Sequence, residues 1–277
     1  MRLRSLLFVP ADRADRFAKA AASGADAIVL DLEDSVAAAN KPEARLAVAA
    51  YLARPADGVH RIVRINPLDG GHLAADLAVA RHAAAIMLPK AEGVRDIDAI
   101  TDALAGAGPP ILPIATETPG AIFALGDYAQ VAGDLCGLTW GAEDLPAAIG
   151  AATAREPDGR YAAPYELARS LALFAAHAAG VAAIETVYPA LDDDAGLAAY
   201  AARGARDGFT GMMAIHPRQV ATINAAFTPD AATLAAAQRI VDAFAAAPGR
   251  GALRLDGRMI DAPHLKQARA ILARGGG

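Results

Sequence analysis

The chain has 277 residues, 55% of them hydrophobic and 21% charged, enough to bury a large core and too apolar for disorder. A formal net charge of -5 supplies no overall basic field for nucleic acid or an anionic membrane, so anionic ligands must be met by local Arg and Lys. The single cysteine, Cys136, rules out an intrachain disulfide and suits a reducing cytoplasm.

The first apolar run, 6–9, is too short for a signal peptide and is interrupted at once by Pro10, Asp12 and Arg13. The alanine-rich stretch 171–184 contains His177 and Gly180 and falls short of a bilayer span, so a soluble, cytoplasmic protein is expected. Short apolar runs suited to buried strands fall at 5–9, 27–32, 61–65, 85–88, 111–116, 136–140, 182–188 and 211–215. Between them, helical spacing or composition marks 16–22, 42–52, 73–81, 94–104, 119–125, 164–178 and 195–203, with further helices at 218–227 and 231–246. Strand–helix alternation over eight units predicts a parallel (β/α)8 TIM barrel, with a doubly wound open sheet as the alternative.

After Pro248-Gly249-Arg250-Gly251 the composition changes. Residues 252–255 and 258–260 read as a hairpin about Asp256-Gly257, and Asp261-Ala262-Pro263 opens a last helix through Leu272. The expected division is a catalytic barrel over 1–247 and a small hairpin–helix arm or lid over 248–277.

In such barrels the chemistry gathers at the carboxyl ends of the strands, and polar residues recur there. The second run ends in Asp31-Leu32-Glu33-Asp34-Ser35, the third in Arg64-Ile65-Asn66-Pro67, the fourth in Pro89-Lys90-Ala91-Glu92 and the fifth in Glu117. The sixth ends in Gly141-Ala142-Glu143-Asp144, the seventh carries Glu185 and Tyr188, and the eighth ends at His216-Pro217. Glu117 and Asp144 on neighbouring strands would suit a hard divalent cation, here Mg²⁺; alternatively, each caps the helix that follows. Glu33 is either an exposed loop charge or a group that orders a cation's water, and Asp34 and Ser35 could cap the next helix. Arg64, if buried, needs an anionic partner, either Asp31 or Glu33 or a substrate carboxylate. Lys90 is a solvated loop lysine or a charge beside the acidic cluster, and His216 reads as structural. Arg13, Arg16 and Lys19, around the first helix start, either meet phosphate or form a solvated helix face.

Taken together, the ordered segments Arg4-Ser5-Leu6-Leu7-Phe8-Val9-Pro10, Asp31-Leu32-Glu33-Asp34-Ser35-Val36, Val63-Arg64-Ile65-Asn66-Pro67, Leu88-Pro89-Lys90, Glu117-Thr118, Gly141-Ala142-Glu143-Asp144-Leu145, Ala214-Ile215-His216-Pro217 and Asp256-Gly257-Arg258-Met259-Ile260-Asp261 span nearly the whole chain. This set resembles the citrate lyase beta-subunit and malyl-CoA lyase family of the HpcH/HpaI aldolase superfamily. The resemblance implies a commonly trimeric (β/α)8 barrel with Mg²⁺ on Glu117 and Asp144. It further implies Arg64 on the oxo-acid or enolate oxygen, Gly141, Ala142 and Glu143 around the substrate, and Glu33 and Asp34 ordering the metal's waters. Arg13, Arg16 and Lys19 would help bind coenzyme A. Asp261, on the carboxy-terminal arm, would act as acid or base, reaching a neighbouring site. The implied activity is a Mg²⁺-dependent carbon–carbon lyase on a 3-hydroxyacyl-CoA thioester, working through a metal-stabilised enolate. Two rivals are a class II pyruvate-type aldolase on free 2-oxo acids and aldehydes, and a non-catalytic carrier-binding subunit. The chain departs from the pattern of many relatives, which carry an arginine soon after the metal glutamate where it has Thr118-Pro119-Gly120, an aspartate where it has Glu185, and a lysine near Met212.

Overall fold

The computed structural model describes residues 1–275. Eight parallel strands carry the fold: β1 (Ser5–Pro10), β2 (Ala27–Asp31), β3 (His60–Arg64), β4 (Ala85–Leu88), β5 (Ile111–Pro113), β6 (Gly137–Thr139), β7 (Ala182–Glu185) and β8 (Gly211–Ala214). Their order in the sheet is β5-β4-β3-β2-β1-β8-β7-β6. The ends of that order meet as well, since Ala115 N–H donates to the Thr139 carbonyl at 2.9 Å and Cys136 N–H to the Ile111 carbonyl at 3.0 Å. Parallel bridges Ile111–Leu135 and Ile114–Thr139 accompany them, so the sheet closes on itself as a (β/α)8 barrel rather than an open sheet.

Closure explains why these strands are apolar on both faces. The inward face packs on the barrel interior and the outward face on helices, and every residue of β2, β4 and β8 is buried. Leu6, Val29, Ile62, Met87, Leu112, Ile114, Ile184 and Met213 form the interior cluster, each Leu or Ile contributing about 1.5–3 kcal/mol by leaving water.

The connecting helices of the barrel are α1 (Phe17–Ala21), α2 (Lys41–Leu52), α3 (Leu73–Ala80), α4 (Val94–Ala103), α5 (Pro119–Ala124), α6 (Asp144–Ala148), α7 (Ala163–Ala179) and α8 (Asp194–Asp207). After β8 come α9 (Val220–Ala226) and α10 (Ala231–Ala246). The 3₁₀ segment Leu125–Asp134 is not anticipated from sequence, and α6 only as the helix that Asp144 would cap. The former is 3₁₀ and kinked at Val131, so it lacks the 3.6-residue periodicity.

Contacts divide the chain into two compact units, Leu3–Asn224 and a second beginning at Ala225. The second holds α10, the antiparallel hairpin β9 (Ala252–Leu255) and β10 (Arg258–Asp261), and α11 (Ala262–Gly275). The hairpin turns at Asp256-Gly257, both at positive φ. Within this unit α10 lies along α11, with Ala237, Ile260 and Ala268 buried. The division by contacts thus falls before α10, whereas the change in composition falls after residue 247.

Candidate active site

The carboxyl ends of the barrel strands open on a cavity of about 470 Å³. Its polar lining includes Asp31, Asp34, Arg64, Glu117, Glu143 and Asp144, and its apolar wall includes Phe8, Ile114, Val187 and Met213.

Arg64 ends β3 in register with Asp31, the last residue of β2. Its Nε and Nη2 donate to Asp31 Oδ1 and Oδ2, both at 2.7 Å, a bidentate fork that fixes the guanidinium plane. Nη1 lies 2.7 Å from Glu33 Oε2, and the guanidinium carbon stands 4.9 Å from the Phe8 ring centroid. Arg64 is thus ion-paired with both carboxylates, and with Asp31 it lines the cavity. Asp31, 2% exposed, is pushed up by burial, but the Arg64 hydrogen bonds outweigh this and hold it below the ordinary carboxylate value. It also accepts from the Glu33 backbone N–H at 2.9 Å, which seats Glu33 inward. Glu33 is buried rather than a loop charge, and burial raises its carboxyl despite Arg64 and Lys90. Asp34 and Ser35 are exposed, and neither caps α2, whose cap position is Asn40.

Lys90 follows β4 with φ 52, a left-handed conformation uncommon for a residue with a Cβ. That turn aims its backbone N–H at Glu117 Oε2, 2.6 Å away. Its ammonium lies 2.6 Å from Glu33 Oε1, 3.5 Å from Asp144 Oδ1 and 4.0 Å from Asp34 Oδ2. Lys90 is thus bound into the acidic cluster rather than solvated in a loop. Burial opposes its charge, yet the Glu33 contact raises it above an ordinary lysine.

Glu117 does not cap α5. That role belongs to Thr118, whose hydroxyl accepts from the Ala121 N–H at 3.2 Å. The Glu117 carboxyl is instead buried against the cavity, 5% exposed, and burial with the nearby Asp144 and Glu33 charges pushes it up to about 8 against the Lys90 N–H. Its place depends on Gly141: a Cβ built there would stand 2.7 Å from Glu117 Cγ. Gly141 is held in turn by Thr116, whose hydroxyl donates to the Gly141 carbonyl at 3.1 Å and accepts its N–H at 3.0 Å. Asp144 lies in the first turn of α6, and the preceding cap position, Glu143, makes no side-chain cap bond. Ala142 is buried and Glu143 exposed on the same turn.

Burial and like charge both disfavour ionised Glu117, and a cation shared with Asp144 offsets both, which is the test that Mg²⁺ passes here. Among the described residues no group of three His, Cys, Asp or Glu forms a complete ligand set. Mg²⁺ is suited to one or two carboxylates with substrate and water oxygens completing its shell.

Several other expected groups have partners of their own. Glu185, at the end of β7, faces a buried network: it accepts from Trp140 Nε1 at 2.5 Å, Arg169 Nε at 2.7 Å and the Tyr200 hydroxyl at 2.9 Å. His216 forms a capping box with Gln219 at a helix start, the structural role expected of it. Arg13 is exposed and forked onto Asp15 at 3.0 Å, while Arg16 and Lys19 are exposed on the same short stretch. Asp261, in the second unit, ends β10 with its Oδ1 2.5 Å from His264 Nδ1. Neither the Lys90–Glu117 contact nor the His264 partner was visible in sequence, because both depend on backbone turns.

A family model described as HpcH/HpaI aldolase/citrate lyase matches residues 4–217. A citrate lyase subunit beta-like protein of Mycobacterium tuberculosis is 38% identical over 98% of this chain and 94% of its own. A (3S)-malyl-CoA thioesterase of Cereibacter sphaeroides is 35% identical over 98% of this chain and 94% of its own. The crystal structure of M. tuberculosis CitE in complex with magnesium, acetoacetate and coenzyme A superposes with a TM-score of 0.85 at 35% identity, covering 100% of this chain and 99% of that one. By the family model and by similarity over nearly its whole length, the chain belongs to the HpcH/HpaI aldolase/citrate lyase family.

Proposed function

We propose that this protein is a Mg²⁺-dependent carbon–carbon lyase that cleaves or forms a 3-hydroxyacyl-CoA thioester, with acyl-CoA and a 2-oxo acid on the other side of the reaction. The observation that carries this reading is the convergence of Glu117 and Asp144 on the cavity, neither making a side-chain cap bond, beside an Arg64 fixed by Asp31. The magnesium, acetoacetate and coenzyme A of the M. tuberculosis CitE complex support it.

Glu117 and Asp144 would hold the metal, with Glu33 and Asp34 ordering water around it. Bound there, Mg²⁺ would supply Lewis-acid polarisation of the 2-oxo acid carbonyl. Arg64 would add positive charge beside the oxygen that becomes anionic, in an orientation already set by Asp31. Gly141, Ala142 and Glu143 would line the oxo-acid end, where a buried Ala142 leaves room for a small group. In the cleavage direction the 3-hydroxyl gives up its proton to solvent water, the C2–C3 bond breaks, and its electron pair becomes the thioester enolate, which is then protonated at carbon. Asp261 would be the group that moves this second proton, and Arg16 and Lys19, with Arg13, would meet coenzyme A phosphates.

A coupled assay over a panel of malyl, citramalyl and citryl thioesters, with and without Mg²⁺, tests the reading. Glu117→Gln and Asp144→Asn should each lower turnover by roughly 10³-fold or more, the scale of losing a group that positions transition-state charge. Full turnover in either variant would sink the metal mechanism. The pairing of Arg13 with Asp15 favours one alternative, an aldolase on free 2-oxo acids: unchanged KM for the thioester in an Arg16→Ala/Lys19→Ala variant would support it. Release of free coenzyme A in the same assay would indicate thioester hydrolysis after cleavage.

A further inference from the structure

The Lys90 ammonium stands among carboxylates contributed by two different parts of the rim. It is hydrogen-bonded to Glu33 after β2 and within ion-pair distance of Asp144 after β6, with Asp34 at the limit of that range. Its backbone N–H meanwhile fixes Glu117 after β5. The side chain is only 32% exposed, so water screens these charges weakly. Arg64 is already committed to Asp31 and Glu33, which leaves Lys90 as the cation set against the Glu117 and Asp144 side of the cavity.

We infer that Lys90 is a built-in counter-ion for the metal site, whose ammonium holds the acidic cluster together without metal and gives up Asp144 when a divalent cation binds. Two consequences of opposite sign follow. Without metal, Lys90 relieves repulsion among Glu33, Asp34, Glu117 and Asp144, so removing it destabilises the chain. Toward metal, the ammonium repels a dication and competes for Asp144, so removing it strengthens binding. Lost ordering of the carboxylates would weaken binding, but a like charge a few ångströms from a dication in a half-buried site is the larger effect. A residue acting merely as structural support would move both measurements in the same unfavourable direction.

This inference rests on the proposed metal site, and its test separates the two. Mn²⁺, a probe for Mg²⁺, is titrated into metal-free wild type, Lys90→Met and Lys90→Arg with detection by electron paramagnetic resonance, and melting temperatures are taken without metal. Lys90→Met is expected to bind Mn²⁺ roughly tenfold tighter than wild type while melting lower without metal. Lys90→Arg, which keeps the charge, is expected to stay within about twofold of wild type in affinity. A Lys90→Met chain that folds only with metal is the limiting form of the same result, provided Lys90→Arg folds without it. Equal or weaker Mn²⁺ binding by Lys90→Met, or failure of Lys90→Arg to fold, overturns the inference. If wild type itself binds no Mn²⁺, or binds it unchanged in Glu117→Gln, it is the metal site that fails.

Discussion

Gly141 and Glu117 show how closely the rim is built. Any side chain at Gly141 would meet the Glu117 side chain at 2.7 Å, inside van der Waals contact, so Gly141→Ala must shift the carboxylate or the strand exit. The expected outcome is at least a tenfold loss of Mg²⁺ affinity by titration, with a stability loss of about 1–3 kcal/mol in urea unfolding, the range for overpacking. Wild-type affinity in that variant would show that Glu117 is not tied to its present position. Arg64 separates charge from shape. Arg64→Met leaves Asp31 and Glu33 buried without their guanidinium and should cost about 3–5 kcal/mol of stability. Arg64→Lys keeps a charge but not the fork, and should lower kcat by about 10²–10³ with a smaller stability loss. The acidic residues of the rim were legible in sequence, because each follows an apolar run. The pairing of Arg64 with Asp31 or Glu33 was legible too, but the backbone bonds were not: Lys90–Glu117 and Thr116–Gly141 join residues 27 and 25 positions apart, and only strand pairing brings them together.

Between elements, ion pairs join β7, α7 and α8. Arg169 on α7 bridges Glu185 and Asp207, and Arg203 on α8 forks onto Glu166. Glu185 reads in sequence as a rim group, since β7 ends there, but the strand's pleat turns it to the helix side, where Trp140 and Tyr200 also bond it. This network carries a pH dependence. Arg203 hydrogen bonds hold Glu166 below its ordinary value against burial. Burial acts first on Asp207 and on Asp31 too, but Arg169 and Arg64 respectively bring both down. A depressed carboxyl adds stability that is present above its unfolded value, about 3.9–4.3, and lost as pH falls through the folded one. Below about pH 4 the raised carboxyls Glu33 and Glu117 are protonated whether folded or not, and add no slope. Urea midpoints should therefore drop steeply below about pH 4. Glu166→Gln, which lies away from the cavity, should lower stability at pH 7 and make that drop shallower. An unchanged acid slope would remove Glu166 from the account.

At the scale of the whole molecule, the proposed role of Asp261 is the one to test. It belongs to the second compact unit, and its carboxylate is paired with His264 at the start of α11. Family resemblance gives the arm a neighbouring subunit's active site, and a trimer is the assembly proposed. Mixing inactive Asp261→Asn chains with inactive Glu117→Gln chains should then restore measurable turnover, while each alone stays near background. No restoration would confine Asp261 to its own chain or to local structure. Sizing by light scattering in the same preparation checks the trimer independently.

What the sequence determined by itself was periodicity and chemistry along the chain: eight apolar runs, the helices between them, acidic and basic groups at the runs' ends, and a hairpin set by Asp256-Gly257. Those are local properties, governed by which residues a buried strand or a turn admits. Tertiary structure alone decided which of the polar groups share a cavity. Closure between β5 and β6 brings Glu117 beside Gly141 and Asp144, the left-handed turn at Lys90 places one cation among their charges, and the pleat of β7 sends Glu185 elsewhere. These choices rest on distances between residues remote in sequence, which hydrophobic spacing along the chain does not encode.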